Sequence, residues 1–222
     1  MGCTDNTLSR NTVSASGVFG IHLQGSTGNS LTGNDLSDNT TGVRLMGCQS
    51  NAITGNEVKN SGTGIDLQGS ARNCVSGNTL VRNKNYGLYF YNASENTVDN
   101  NTISGNGCGL YFWNANRNKV FNNNFVDNGS QARVSTSSGN VFNLPRPVGG
   151  NYWSDWTGPD NNNDGFVDNP YVLARYRAFC GQDNLPWAKP SGWRSSEPPF
   201  TVIDLSGTPA ETAGMSPMSG SR

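Results

Sequence analysis

The sequence predicts an all-β fold, a parallel β-helix of about six to seven rungs with an irregular C-terminal cap. Three observations predict it. Asn residues recur with a period of about 22, apolar residues within each repeat lie two positions apart, and a Gly opens a strictly alternating segment in each of five copies. Repeats of this length are typical of solenoids, whose units bury apolar faces only against their neighbours.

Two Asn series run through the repeats, one five residues behind the other. The first is Asn6, Asn29, Asn51, Asn73, Asn96, Asn118 and Asn140, and the second is Asn11, Asn34, Asn56, Asn78, Asn101 and Asn123. Stacked Asn side chains can hydrogen-bond one rung to the next, and Asn and Gly tolerate the left-handed corners of such a coil. The series therefore predict ladders that run along the solenoid.

The apolar spacing predicts strands and not helices, because side chains alternate between the two faces of a strand. Three short strands fit in each turn, and stacked rungs rise by about 4.8 Å. Leucine-rich repeats have an overlapping period, but their helical segment and dense Leu pattern are missing here.

Composition agrees with a narrow core. The 222 residues include 32 Asn and 28 Gly, and only 33% are hydrophobic. The formal net charge of −1 argues against nucleic-acid binding by phosphate neutralisation. No apolar run approaches the ~18 residues of a transmembrane helix. Aromatic residues make up 9% of the chain, more than is typical of disordered sequences.

Three regions follow from the pattern: β-helix repeats over 1–143, an aromatic C-terminal cap over 144–190 and a Ser/Pro/Gly-rich flexible tail over 191–222. The chain begins inside a repeat and shows no signal peptide. We therefore expect either an N-terminal continuation of the β-helix or a partner chain that covers its open strand edges.

The rungs, together with Asn151-Tyr152-Trp153-Ser154-Asp155-Trp156 and Asp183-Asn184-Leu185-Pro186, resemble the NosD-type "periplasmic copper-binding" and carbohydrate-binding/sugar-hydrolase superfamily. Archaeal surface members look closest. The resemblance covers roughly residues 6–190 and implies a right-handed, single-stranded parallel β-helix with an extracytoplasmic location, which is periplasmic, secreted or on the cell surface. Its members include enzymes, copper-site assembly factors and surface proteins.

The segment Asp160–Asp168 predicts a Ca²⁺ loop. Oxygen-bearing side chains stand at positions 1, 3, 5 and 9, Gly follows at 6, and a backbone carbonyl is available at 7. The expected ligands are Asp160, Asn162, Asp164, Phe166 and Asp168, in a structural role. Position 12 is Tyr171 where an EF-hand has Glu, so Asp155 is a candidate to complete the shell. The alternative is an Asn/Asp/Gly turn without an ion.

An aromatic patch is predicted on the best strand of two adjacent rungs. Its members are Tyr89, Tyr91, Tyr111 and Trp113, all at outward positions. Exposed aromatic faces suit sugar rings, so the patch predicts contact with polysaccharide or another glycan. In-register aromatics also stabilise parallel ladders by themselves, and the cap could cover this face.

Candidate catalytic groups are sparse. Asp66 is the one carboxylate on the aromatic face, and Arg44 stands beside it. A glycosidase needs two carboxylates flanking the bond. Asp35 and Glu57 stack on another face, where no aromatic or basic cluster joins them.

Copper is disfavoured as a cofactor. His22, Met46 and Cys48 lie on neighbouring rungs, but the five Cys are expected at non-equivalent positions, and no CxxC occurs. The leading functional hypothesis is a non-catalytic extracytoplasmic scaffold that contacts polysaccharide. The alternatives are a polysaccharide lyase or glycosidase centred on Asp66 and Arg44, and a NosD-like accessory protein for copper-site assembly.

Overall fold

The computed structural model describes residues 2–175 and 178–195. Three parallel sheets of six, seven and six strands run along one axis, and each turn of the chain contributes one strand to each sheet. A two-stranded antiparallel hairpin and a short 3-10 helix follow in the cap. The predicted parallel β-helix is confirmed.

Strand lengths are short and regular. The first sheet contains β1 (Thr7–Ser9), β4 (Ser30–Thr32), β7 (Ala52–Thr54), β10 (Cys74–Ser76), β13 (Thr97–Asp99) and β16 (Lys119–Phe121). The second contains β2 (Thr12–Ser14), β5 (Asp35–Ser37), β8 (Glu57–Lys59), β11 (Thr79–Val81), β14 (Thr102–Ser104), β17 (Asn124–Val126) and β19 (Tyr152–Trp153). The third contains β3 (Phe19–Gln24), β6 (Thr41–Met46), β9 (Thr63–Gln68), β12 (Tyr86–Tyr91), β15 (Cys108–Trp113) and β18 (Ala132–Ser135). The hairpin is β20 (Tyr171–Arg175) with β21 (Ala178–Asp183), and the 3-10 helix spans Gly192–Ser195.

One continuous apolar core fills the coil. Inward residues stack in register, for example Leu31 on Ile53 and Leu88 on Leu110, and all four are fully buried. In the first rung Leu8 and Val13 are only half-buried. The low apolar content of the sequence is therefore concentrated in a few columns that run the length of the coil.

The two predicted Asn ladders are present. Asn78 is typical: its Oδ1 accepts hydrogen bonds from the backbone N–H and the Nδ2 of Asn56, and its own Nδ2 donates to the carbonyl of Ile53 and to Oδ1 of Asn101. Because every polar atom of the amide has a hydrogen-bond partner, its burial leaves no polar group unsatisfied.

A third ladder, absent from the sequence prediction, runs along another corner. Asn83, Asn106 and Asn128 form it with Ser16, Asn39 and Ser61, and from Asn39 onwards each side-chain oxygen accepts the backbone N–H of the preceding rung. Ser alternates with Asn in its first rungs, which hid the period.

A column of small residues lies inside a further corner. Cys3, Ser26, Cys48 and Ser70 succeed one another in it, linked by bonds from backbone N–H to side chain. The expectation that the cysteines occupy non-equivalent positions was therefore wrong for Cys3 and Cys48, which share this column two rungs apart. Cys3, Cys48, Cys74 and Cys108 form no disulfide bond within the described residues.

The cap closes the C-terminal end of the core. Trp153 stacks between Phe125 and Tyr171, with ring centroids 4.4 and 4.3 Å away. Asp183, fully buried, accepts hydrogen bonds from the Asn151 backbone, the Trp153 indole and the Leu185 backbone. Burial raises the pKa of Asp183 to about 6.

The segment after the cap remains packed for a few residues. Ser191 exchanges two hydrogen bonds with Asn124, and Trp193 is buried against Trp187. The rest of the predicted tail, 196–222, lies outside the described residues. Among the residues described, no helix has the length and apolar character needed to span a membrane.

Candidate functional site

The aromatic patch is assembled by the third sheet. Register pairs Tyr89 with Tyr111 and Tyr91 with Trp113 across β12 and β15. The ring centroids of these pairs are 5.7 and 5.5 Å apart, and Tyr111 lies 6.4 Å from Trp113 with the rings near parallel. The four predicted residues therefore form one continuous surface over two rungs.

A fifth ring belongs to this surface. Tyr86 stacks on Tyr89 at 5.0 Å and contacts Tyr111 at 5.5 Å. The sequence pattern did not point to Tyr86, because this residue stands one place before the Gly that opens the alternating segment. The sequence signal for it was the three-residue spacing between Tyr86 and Tyr89, because the register of β12 with β15 skips Gly87 between them.

The patch is open at its outer edge. Trp113 is 46% exposed and Tyr91 is 37% exposed, whereas Tyr89 and Tyr111 are half-buried. The cap packs on the C-terminal end of the core through Trp153 and leaves the patch accessible. Large exposed aromatic surface is uncommon on soluble proteins and marks interaction sites.

A polar network adjoins the patch on the preceding rungs. Gln68 Nε2 donates to Asp66 Oδ2 at 3.1 Å, and Arg44 Nη2 donates to Gln68 Oε1 at 2.9 Å. Arg44 Nε lies 3.8 Å from Asp66 Oδ2, and its guanidinium sits over the Phe19 ring at 5.0 Å. The structure thus brings Asp66 and Arg44 together as the sequence predicted.

Asp66 is deeply buried for a carboxylate. It is 5% exposed, and its Oδ1 has no hydrogen-bond partner among the described residues. Burial raises its pKa to about 6, against the opposing effects of Arg44 and Gln68. In register its neighbours are Arg44 and Tyr89, so no second carboxylate accompanies it on this face of the described strands.

Asp35 and Glu57 form a separate surface group on the second sheet. Lys59 Nζ lies 3.5 Å from Asp35 Oδ2 and 3.0 Å from Glu57 Oε1. The lysine offsets one of the two negative charges at a solvent-accessible site, which is an ordinary arrangement for a solvated sheet face.

The Asp160–Asp168 loop is closed by its own backbone. Oδ1 atoms of Asp160 and Asn162 both accept the N–H of Asp164, and Asp164 Oδ1 accepts the N–H of Phe166. Asp168 accepts from Asn161 across the loop.

A cation already faces this loop. Arg146 Nη1 is 2.6 Å from Asp164 Oδ2. The hydrogen bond from the Phe166 N–H and the Arg146 guanidinium lower the pKa of Asp164. Asp155, the expected additional ligand, instead accepts a hydrogen bond from Tyr171 Oη. Across the part of the chain that is described, no three His, Cys, Asp or Glu side chains cluster as metal ligands do.

A comparison with known protein families identifies the family of this chain. The family model described as "periplasmic copper-binding protein (NosD)" matches residues 1–158. The chain belongs to the NosD family. The match spans the rungs, β19 and the first turn of the cap, so it agrees with the resemblance noted in the sequence.

The copper named in the NosD description does not fit the donors of this chain. His22 projects outward on β3, where it packs against Phe19 at 4.7 Å and pairs in register with Arg44. Cys48 points inward and bonds with Ser26 and the Met46 carbonyl. A copper site needs imidazole, thiolate or thioether donors that converge, and the buried Cys48 thiol lies on the other side of the sheet from the outward His22.

Other comparisons add little to the NosD assignment. A solved structure of QnrB1, a plasmid-mediated fluoroquinolone resistance protein, is 14% identical over 71% of this chain and 80% of that chain, with a TM-score of 0.17. Agreement at that level supports no statement about fold or function. No curated protein matches the chain.

Proposed function

We propose that this NosD-family protein is a non-catalytic extracytoplasmic scaffold that binds polysaccharide through the aromatic patch. The observation that carries the proposal is the exposure of Trp113 and Tyr91 on a surface continuous with Tyr89 and Tyr111. Aromatic faces supply large apolar contact area with few rotatable bonds, so little conformational entropy is lost on binding. The periplasmic description of the family supports the location.

The rigidity of the rungs also supports a binding role. Phe90 and Phe112, on the patch strands themselves, point into the core, where they are fully buried with ring centroids 5.2 Å apart, and so anchor both strands. A preformed platform loses less freedom when a ligand docks than a mobile loop does. Gln68, in register with Tyr91, uses one amide N–H on Asp66 and has a second for sugar hydroxyl groups beside the rings.

The experiment is a glycan array probed with the whole chain and with two variants. Trp113→Ala removes the most exposed ring, and Phe121→Ala removes a half-buried ring on the first sheet as a matched control. We expect Trp113→Ala to lose at least about tenfold in affinity, since stacking rings are typical hot spots. Equal binding by all three proteins would contradict the proposal.

Polysaccharide cleavage at Asp66 and Arg44 is a second candidate, favoured by the pKa of Asp66 near 6, which suits proton transfer. The missing second carboxylate counts against a glycosidase. Release of reducing ends or unsaturated products that stops in Asp66→Asn would favour this candidate over the scaffold. A copper-assembly role has family membership as its sole support.

We also propose a structural Ca²⁺ in the Asp160–Asp168 loop. Convergence of the Asp160 and Asn162 oxygens on one amide supports it, and the Arg146–Asp164 ion pair competes with it. Calorimetric titration with Ca²⁺ tests the idea on the whole chain. Ca²⁺ uptake that is lost in Asp164→Ala supports the site. If no heat is released and chelator leaves the melting temperature of the wild type unchanged, the Ca²⁺ site is refuted.

A further inference from the structure

Charge on the third sheet is arranged asymmetrically around the aromatic patch. The column that contains Tyr89 and Tyr111 begins with His22, Arg44 and Asp66, and Arg133 follows Tyr111 on β18. The neighbouring column carries uncharged residues: Gln24, Met46, Gln68, Tyr91, Trp113 and Ser135. Two arginines and one carboxyl group are therefore the charged groups in these two columns, in a chain whose net charge is −1.

The one acidic group is withdrawn from the surface. Asp66 is 5% exposed and lies against Gln68 and Arg44. A ligand that approaches the rings therefore meets little negative charge from the sheet itself. Arg44 is half-buried and committed to Gln68 and Asp66.

Arg133 is placed differently. It is exposed and pairs in register with Tyr111, so its backbone lies one strand spacing, about 4.8 Å, from that of Tyr111. No carboxylate within the described ranges, 2–175 and 178–195, forms an ion pair with it. Arg133 is thus an exposed positive charge on the strand that follows Tyr111 and Trp113.

We infer that the polysaccharide bound by the patch is anionic, with sugar rings on Tyr111 and Trp113 and an oxyanion on Arg133. This inference rests on the proposed function and names the ligand class of the same site. A guanidinium offers two parallel N–H donors that match a carboxylate or a sulfate, and such charge-assisted bonds are about twice as strong as neutral ones. Carboxylated and sulfated sugars share this chemistry.

The test measures binding of the whole chain to matched polymers by affinity electrophoresis. Polygalacturonate is compared with its methyl ester, and dextran sulfate with dextran. The variants are Arg133→Gln, Trp113→Ala and, as a control of equal charge change, Lys119→Gln, which alters an exposed residue on the first sheet. The first pair reports on carboxylates and the second on sulfates.

We expect one charged polymer to bind at least about tenfold more tightly than its neutral counterpart. Arg133→Gln should abolish that preference and leave weak binding to the neutral polymer, whereas Lys119→Gln should bind as the wild type does. Added salt should weaken binding of the charged polymer and leave binding of the neutral polymer unchanged.

Three results would overturn the inference, and they are distinguishable. Equal binding of charged and neutral polymers that is lost in Trp113→Ala but not in Arg133→Gln refutes the anionic ligand and leaves the scaffold proposal standing. Binding of no polymer by the wild type refutes both. Equal losses in Arg133→Gln and Lys119→Gln would show that net charge, not the Arg133 position, determines binding.

Discussion

Asn123 and Asn151 are joined side chain to side chain, with Nδ2 of the first 2.9 Å from Oδ1 of the second, across 28 residues. Other links of that ladder span 22 or 23 residues. The last rung of the ladder is therefore supplied by the aromatic segment that the sequence assigned to the cap. Asp183 then bonds to Asn151, so repeat and cap share one hydrogen-bond network.

This network makes Asp183 a sensitive point for the cap. Asp183→Ala leaves the donors of Asn151, Trp153 and Leu185 without their acceptor, at about 1–3 kcal/mol for each buried donor. We expect a loss of at least about 3 kcal/mol in the free energy of unfolding. Urea unfolding followed by Trp fluorescence measures it. Asp38→Asn, at an exposed carboxylate whose φ of +57° Asn also tolerates, should change stability by less than about 0.5 kcal/mol. Similar values for both variants would contradict the role of Asp183.

The middle of a ladder should be as sensitive. Asn78→Ala removes the acceptor of two Asn56 donors and the donor to the Ile53 carbonyl, all of them buried. We predict a loss of about 3 kcal/mol or more. The exposed Asn85→Ala is the matched control, expected within about 0.5 kcal/mol of the wild type. If Asn78→Ala unfolds at the wild-type urea concentration, the ladder contributes nothing to stability.

Gly87 shows that the Gly of each repeat is required for space. A Cβ there would lie 2.8 Å from both the Gly109 carbonyl oxygen and Ile103 Cγ2. Gly69 has open space but a φ of +56°. Gly87→Ala should therefore destabilise by about 2–3 kcal/mol, and Gly69→Ala by about 1 kcal/mol. Thermal unfolding measures which variant loses more stability. A larger loss in Gly69→Ala than in Gly87→Ala would contradict the packing argument.

The buried Asp66 predicts a defined pH dependence. Its folded pKa of about 6 exceeds the ordinary value of 3.8, so the folded state holds its proton more tightly than the unfolded state does. Its contribution to stability is full below pH 3.8 and is lost as the pH rises through 6. The wild type should thus lose about 2 kcal/mol relative to Asp66→Asn between pH 4 and pH 7. Unfolding of both proteins across that range measures the difference; a constant difference would contradict the pKa.

The fold was predictable because its determinants are periodic. Leu31, Ile53 and Val75 recur at the same point of each repeat, and a repeating unit can bury such residues only by stacking. The aromatic patch was equally predictable, since outward positions of stacked strands coincide every 22 or 23 residues. Whether the cap covers the patch could not be predicted, because that depends on where the irregular cap folds.

Features outside the period escaped prediction for the same reason. The burial of Asp66 depends on Gln68 and Arg44 around it, and the Arg146–Asp164 ion pair joins residues 18 positions apart in a segment without repeats. Asn151 joins its ladder after an insertion that shifts the spacing. Local sequence patterns carry no information on contacts of this kind.

The most direct test of the binding claim follows the indole N–H signals of the five Trp residues by NMR during polysaccharide titration. Trp113 is the indole on the exposed patch, whereas Trp153, Trp187 and Trp193 are buried and Trp156 is half-buried in the cap. We predict that the Trp113 signal, assigned by its absence in Trp113→Phe, shifts saturably while the other four stay in place. A titration that leaves the Trp113 signal unmoved, or that shifts only the cap signals, would contradict the account.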